Sequence, residues 1–398
     1  MRNFYVPAGL VFVALLAACS DQKPRGFGSP IPVTVPSMGD VSGPRFASAA
    51  GGPLVLSWME RKDRGATLRS AEFRNGGFDT VVTVVEDPLM FVNWADLPSV
   101  TALGDDRWIA HWLRYSARKT YSYDVVVSQS FDDRETWSEP MAAHTDGTQT
   151  EHGFVSVERN GDGATLLWLD GRNTPDRSMT LRSAVITPDG SRIQEQEVDD
   201  SVCDCCQTDI AVSARGLLAV YRDRTADEIR DIYITRHNGE RWLAGKRLFA
   251  DNWKIPGCPV NGPSIVADDD FVAVAWFSAA NDRPIVRVVM STDGGEQFGP
   301  PVEVATGRVF GYVGLAQLDD RHLAVSWVGG TIDGRSPVYV RTVDTAGTTG
   351  PVLEVGTTKQ LRVFPQLAVS ENQVIVVWTD DIDDGRIMKA AAIPWHGT

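Results

Sequence analysis

The side chains best suited to chemistry in this chain are its clustered thiols. It carries five cysteines, and three of them, Cys203, Cys205 and Cys206, fall within the stretch "SVCDCCQTD". A fourth, Cys258, sits in "PGCPVNGP" between Gly257 and Pro259, a rigid and non-helical setting. Sulfur grouped this closely supports three chemistries: disulfide formation, a soft-metal site for Cu(I) or Zn(II), or a redox-active thiol. As a bridge, Cys258 pairs with one of Cys203, Cys205 or Cys206. Closing a loop of that length contributes about 4 kcal/mol in the chain-entropy model. A vicinal Cys205–Cys206 bond needs unusual backbone geometry. As a metal site, the four thiolates bind copper or zinc, with Asp204, His152 or Asp209 available to complete the shell. The Cys-x-Cys-Cys spacing is not the paired Cys-x-x-Cys of zinc ribbons. A second concentration of charge is "YRDRTADEIRD", with Arg222, Asp223, Glu228, Arg230 and Asp231. It can hold an anionic ligand, or its charges can satisfy one another as a salt-bridge network.

The elements that position these groups are legible as a repeat. A short apolar run ending in an aromatic residue recurs seven times, at Trp58, Trp112, Trp168, Tyr221, Trp276, Trp327 and Trp378, at intervals of 51 to 56 residues. In the third unit "FVSVER", "ATLLWLDG", "MTLRSAVIT" and "IQEQEVD" read as four strands, separated by "NGDG", "DGRNTPDR" and "TPDG" turns. Four strands per unit at this period predict an all-β fold, a β-propeller of seven four-stranded blades. A six-bladed ring with one divergent unit is the alternative. The last unit has only three strands, and "IPVTVP" (residues 31–36) is the segment that would complete it. The ring would then close by an N-terminal strand in the last blade, leaving no open edge.

In a propeller the loops entering each blade, and those joining its second and third strands, emerge on one face around the central channel. Sorting the sequence by face puts the cysteines there, at the entries to blades four and five. Asp96, Arg308, Tyr312, Arg222, Glu228, Arg230, Asp170 and Arg172 join them.

Between the third and fourth strands, "STDGGEQF" (residues 291–298) matches the Asp-box pattern. "SFDDRETW" (residues 130–137) matches it except for Arg134 in the glycine position. The Asp carboxylate of such a turn accepts backbone N–H bonds while the aromatic residue packs between strands. On these motifs the chain resembles the sialidase-like, BNR/Asp-box propellers across nearly the whole of its mature length. The resemblance implies an exo-α-sialidase type of glycoside hydrolase. Arg45, Arg222 or Arg230, and Arg308 would clamp a substrate carboxylate, Tyr312 would be the nucleophile, Glu228 its base and Asp96 the acid/base. The Arg-Ile-Pro motif of sialidases is absent, the nearest stretch being "GPRFA" at Arg45. Sialidases have six blades, and nothing in their chemistry uses the cysteines.

Residues 1–18 combine Arg2 with a long apolar run and form a secretory signal too short for a membrane span. "LAAC" ending at Cys19 resembles the lipobox of bacterial lipoproteins. This implies lipidation of Cys19, a tether over residues 19–30, a single propeller domain over residues 31–398 and membrane attachment. Ser20 suggests an outer-membrane lipoprotein facing the periplasm, an oxidising compartment in which disulfides persist. The formal net charge of −14 argues against a nucleic-acid surface and allows a cationic ligand or a metal. The expected function is recognition of a glycan, a metal or a protein ligand on the cysteine- and arginine-rich face. A sialidase-type exo-glycosidase and a thiolate copper or zinc protein are the alternatives.

Overall fold

The computed structural model describes Met1 and residues 26–48, 53–104, 106–174 and 178–397. The lipidation signal, including Cys19, lies outside the described residues. Seven antiparallel sheets follow one another along the chain. Their innermost strands are Val41–Ser48, Ser99–Gly104, His152–Asn160, Asp209–Ser213, Ser264–Asp268, Val309–Gln317 and Gln366–Ser370. The fold is an all-β propeller of seven blades. Each recurring aromatic lies on the second strand of its blade, as the repeat predicts.

The last blade closes as expected. Ile31–Val33 pairs with Gly385–His396, with Ile31 opposite Ala392 and Val33 opposite Ala390. A further short strand, Gly26–Phe27, pairs with the far end of the same strand.

The periodic aromatic residue is explained by packing between blades. Trp168 of blade three packs with Leu103, Ile109 and Val125 of blade two. Trp276 of blade five packs with Leu218, Val220 and Ile234 of blade four. Trp58 packs with Ile375, Val377 and Ala390 of blade seven, so the same device closes the ring. Buried indole N–H groups need acceptors. Trp58, Trp112, Trp168 and Trp276 donate to Glu60, Asp87, Asp170 and Asp251.

The Asp boxes are formed. Asp293 Oδ1 accepts from the backbone N–H groups of Glu296 and Gln297, both at 3.0 Å. In the variant copy, Asp132 Oδ1 accepts from Thr136 N at 2.9 Å. Arg134 adopts the left-handed backbone (φ 71°) that glycine would supply. Its buried side chain pairs with Glu72 and lies over Trp108, giving this arginine interactions a glycine could not make.

Candidate functional site

The innermost strands of all seven blades surround an axial cavity of about 410 Å³. Its charged lining consists of Arg45, Asp96, Glu158 and Asp209, three carboxylates to one guanidinium. Arg45 spans the channel from blade one, donating from Nη1 to the Val155 carbonyl at 2.7 Å.

Asp96 comes from the loop entering blade two. Phe154 N donates to its Oδ2 at 2.8 Å, while Oδ1 is buried without a partner. Burial, reinforced by the charge of Glu151, pushes its carboxyl up to about 7, against the opposing hydrogen bond from Phe154. Gly153 allows this approach, because a Cβ there would stand 2.1 Å from Asp96 Oδ2 and 3.0 Å from the Tyr123 ring. Tyr123 in turn donates its hydroxyl to Glu151 Oε1 at 2.6 Å. A Tyr–Glu pair thus stands beside Asp96. Tyr123 is fully buried, and burial raises its pKa, so its phenolate is disfavoured.

Above the channel, half-buried Trp94 stacks on Phe364 (5.7 Å between centroids), with Tyr312 edge-on to both. Exposed Arg362 lies over Trp94. The loops entering blades two and seven supply Trp94 and Phe364, while Tyr312, expected in the entry loop of blade six, lies on the innermost strand of that blade, Val309–Gln317. Asn261 of blade five supports it by accepting from Tyr312 N at 2.7 Å.

The residues expected to form a sialidase centre have other partners. Tyr312 belongs to the aromatic cluster, whereas Glu228 accepts from Arg224 and Arg230. Arg222 is buried, spends its donors on the Asn261, Arg230 and Phe277 carbonyls, and lies over Trp253. Burial lowers its pKa to about 10. Arg308 donates to the Thr331 carbonyl. Arg172 pairs with Asp170 and Glu195, and Asp170 also accepts the Trp168 indole N–H. Four arginines expected at a binding site are thus held in separate structural bonds. "YRDRTADEIRD" is a self-satisfied network: Arg224 bridges Asp204 and Glu228, and Asp231 accepts from Asn252 N and Trp253 N.

The sulfurs of Cys203, Cys205 and Cys206 lie within 4.8 Å of one another, and the pairing differs from the one expected. Cys203 and Cys206 form a disulfide, their Cα atoms 5.7 Å apart. Cys258 takes no part in a bridge, and no vicinal Cys205–Cys206 bond forms. The turn "CDCC" folds Cys203 and Cys206 together, which closes a loop of a few residues in place of about fifty. That lowers the chain-entropy contribution to about 2 kcal/mol. Cys205 and exposed Cys258 remain as free thiols. Each acts on the other: the neighbouring Cys205 brings Cys258 down to about 7, and Cys258 with burial pushes Cys205 up. Arg230 Nη1 lies 3.5 Å from Cys203 Sγ. His152, offered from sequence as a partner of the thiols, instead stacks on His144.

No family model matches the chain, and no curated protein is similar to it in sequence. Solved structures are similar in fold. An ulvan lyase, from a new family of polysaccharide lyases, is 11% identical with a TM-score of 0.55, over 94% of each chain. The α-L-arabinanase of Penicillium chrysogenum, solved with arabinobiose, is 14% identical with a TM-score of 0.50. The match covers 80% of this chain and 98% of that one. A Hadza microbial sialidase is 15% identical with a TM-score of 0.49, over 83% of this chain and 74% of its own. The ulvan lyase and the arabinanase share the fold with this chain; a shared fold at these identities carries no activity with it.

Proposed function

We propose that this protein is a glycan-binding propeller of the bacterial envelope, anchored through lipidated Cys19, with its ligand seated at the Asp96 end of the channel. The observation that carries the reading is the buried, unpartnered Asp96 Oδ1 in the wall of the axial cavity. A buried polar atom without a partner is costly, and a ligand hydroxyl or amine would satisfy it. The Trp94–Phe364 stack nearby offers an apolar platform beside these polar groups, the combination small-ligand sites use. The one guanidinium of the lining, Arg45, already donates to the Val155 carbonyl and is outnumbered by three carboxyl groups whose burial favours their protonated form, so the lining suits an uncharged or amino-sugar glycan better than an anionic one. Binding is favoured over sialidase turnover because the arginines that would clamp a carboxylate are engaged elsewhere and Tyr123 is enclosed. Calorimetry with neutral, amino and sialylated oligosaccharides tests this. Binding of a neutral or amino sugar that is weakened by Asp96→Asn and Trp94→Ala supports it. Preference for the sialylated probe, or release of sialic acid, would overturn it.

A second reading is soft-metal binding by the thiols, favoured by the Cys203, Cys205 and Cys206 sulfur atoms lying within 4.8 Å of one another. Only the reduced protein offers all four thiolates. Cu(I) or Zn(II) uptake that appears on reduction and vanishes in Cys205→Ser would support it. Equal uptake by the oxidised and reduced forms would exclude it.

A further inference from the structure

The seam between blades two and three holds a second cluster, separate from the channel and from the thiols. His144 and His152 stack with ring centroids 3.8 Å apart and planes within 11°. His152 is fully buried and His144 is 5% exposed. Asp124, Asp146 and Asp170 surround the two rings, and Arg172 with Glu195 borders them.

The tautomers follow from the partners. His152 Nδ1 lies 3.1 Å from the Tyr123 carbonyl, which can only accept, so Nδ1 carries the proton. The lone pair of the neutral ring is then at Nε2. That atom is buried without a hydrogen bond, and it faces Asp146 Oδ2 at 3.3 Å and Asp170 Oδ2 at 3.8 Å. Three electron-pair donors directed at one another repel unless a positive centre lies between them. Their separations suit an ion about 2.1 Å from each, after a small inward adjustment of Asp170. Arg172 binds Asp170 and Glu195 and offsets one negative charge of the several present.

We propose that His152 Nε2, Asp146 and Asp170 form a binding site for a divalent first-row cation such as Zn2+. One nitrogen and two carboxylates match the borderline ions, whereas Ca2+ takes oxygen ligands. His144 is a positioning residue. Its Nδ1–H donates to Asp146 Oδ1 at 2.6 Å, orienting the carboxylate whose other oxygen faces the ion. Thr148 donates its hydroxyl to Asp146 Oδ2 itself, while Asp170 Oδ2 accepts from the Trp168 indole at 2.8 Å and from Arg172 Nη2 at 2.7 Å, and would exchange that Arg172 bond for the ion while Arg172 Nε keeps Oδ1. Asp146 belongs to the loop leaving blade two, while His152 and Asp170 belong to blade three. The ion would rivet one blade to the next. The side chain of Asp146 is 8% exposed, and that of Asp124 beside the rings is 30% exposed, which places the cluster within reach of solvent.

The test uses Co2+ on the whole protein after chelator treatment, with free thiols alkylated so that the cysteines cannot contribute. The expected result is a single Co2+ per chain, with visible d–d bands, no thiolate charge-transfer band and a raised melting temperature. Asp146→Asn, close to the surface and checked for fold by circular dichroism, should abolish binding. His144→Gln should weaken it about tenfold, as loss of an orienting partner does. Absence of Co2+ binding in the folded wild-type chain would overturn the proposal, and would assign a proton to His152 Nε2 in place of the ion. Binding unchanged in Asp146→Asn would overturn it as well.

Discussion

At the scale of single residues, environment sets the chemistry of this face more than residue type does. Asp96 and Asp293 are both aspartates. Asp293 is half-buried, accepts from two backbone N–H groups and the Ser291 hydroxyl and has a lowered pKa, whereas Asp96 is enclosed and pushed up to about 7. This difference is measurable as stability. The native state holds the Asp96 proton more tightly than the unfolded chain, whose Asp titrates near 3.9. Between those two values the native state binds more protons, so the contribution of this group falls as pH rises from about 4 to about 7. The cost is on the order of 4 kcal/mol for a fully buried carboxyl. Asp96→Asn keeps the acceptor for Phe154 N and removes the titration. Urea unfolding should show the variant gaining on the wild type between pH 4.5 and pH 8, and a constant difference across that range would refute the assignment. From sequence Asp96 could be placed on the right face, because a loop position follows from the repeat. Its proton affinity could not, because it depends on Glu151 and Phe154, more than fifty positions away.

At the scale of elements, the decisive units are the loops entering each blade. Periodicity locates them but does not fix how they fold. That Cys205 and Cys258 are neighbours was legible, since adjacent blades bring consecutive entry loops together. The disulfide partner was not, because the tight turn at Asp204 that joins Cys203 to Cys206 has no periodic signature. The Tyr123–Glu151 pair was likewise hidden: it joins the start of a third strand to the next entry loop, two segments the repeat places on one face without setting in contact. The thiol pair makes its own prediction. The neighbouring Cys205 thiol brings Cys258 down to about 7, so its alkylation rate should be half-maximal near pH 7. Cys205→Ala should move that midpoint up toward the ordinary thiol value of about 8.5. A pH profile identical in wild type and variant would show that Cys205 does not control Cys258.

At the scale of the whole molecule, stability rests on closure, and closure is where a propeller differs from an open stack of sheets. Each seam is sealed by an aromatic residue packed on the preceding blade, and six of the seven seams join consecutive units. The seventh joins the ends of the chain. There Trp58, Leu56 and Phe73 meet Ile375, Val377 and Met388, and Val33 and Val35 of the N-terminal segment pack on the same cluster. Asp40 adds a stitch by accepting from Arg386 N at 3.0 Å. The two kinds of seam should fail differently. Trp276→Ala, at an ordinary seam, should cost about 3–5 kcal/mol through the cavity it leaves, with the association state of the chain unchanged. Removing residues 26–36 takes away the outer strand of blade seven and bares the edge of Gly385–His396. An unpaired edge is a template for another chain. The truncated protein should therefore both melt earlier and self-associate with rising concentration, as read by sedimentation velocity alongside thermal unfolding. A truncated chain that sediments and melts like the parent would mean that the inner three strands of blade seven suffice to hold the ring.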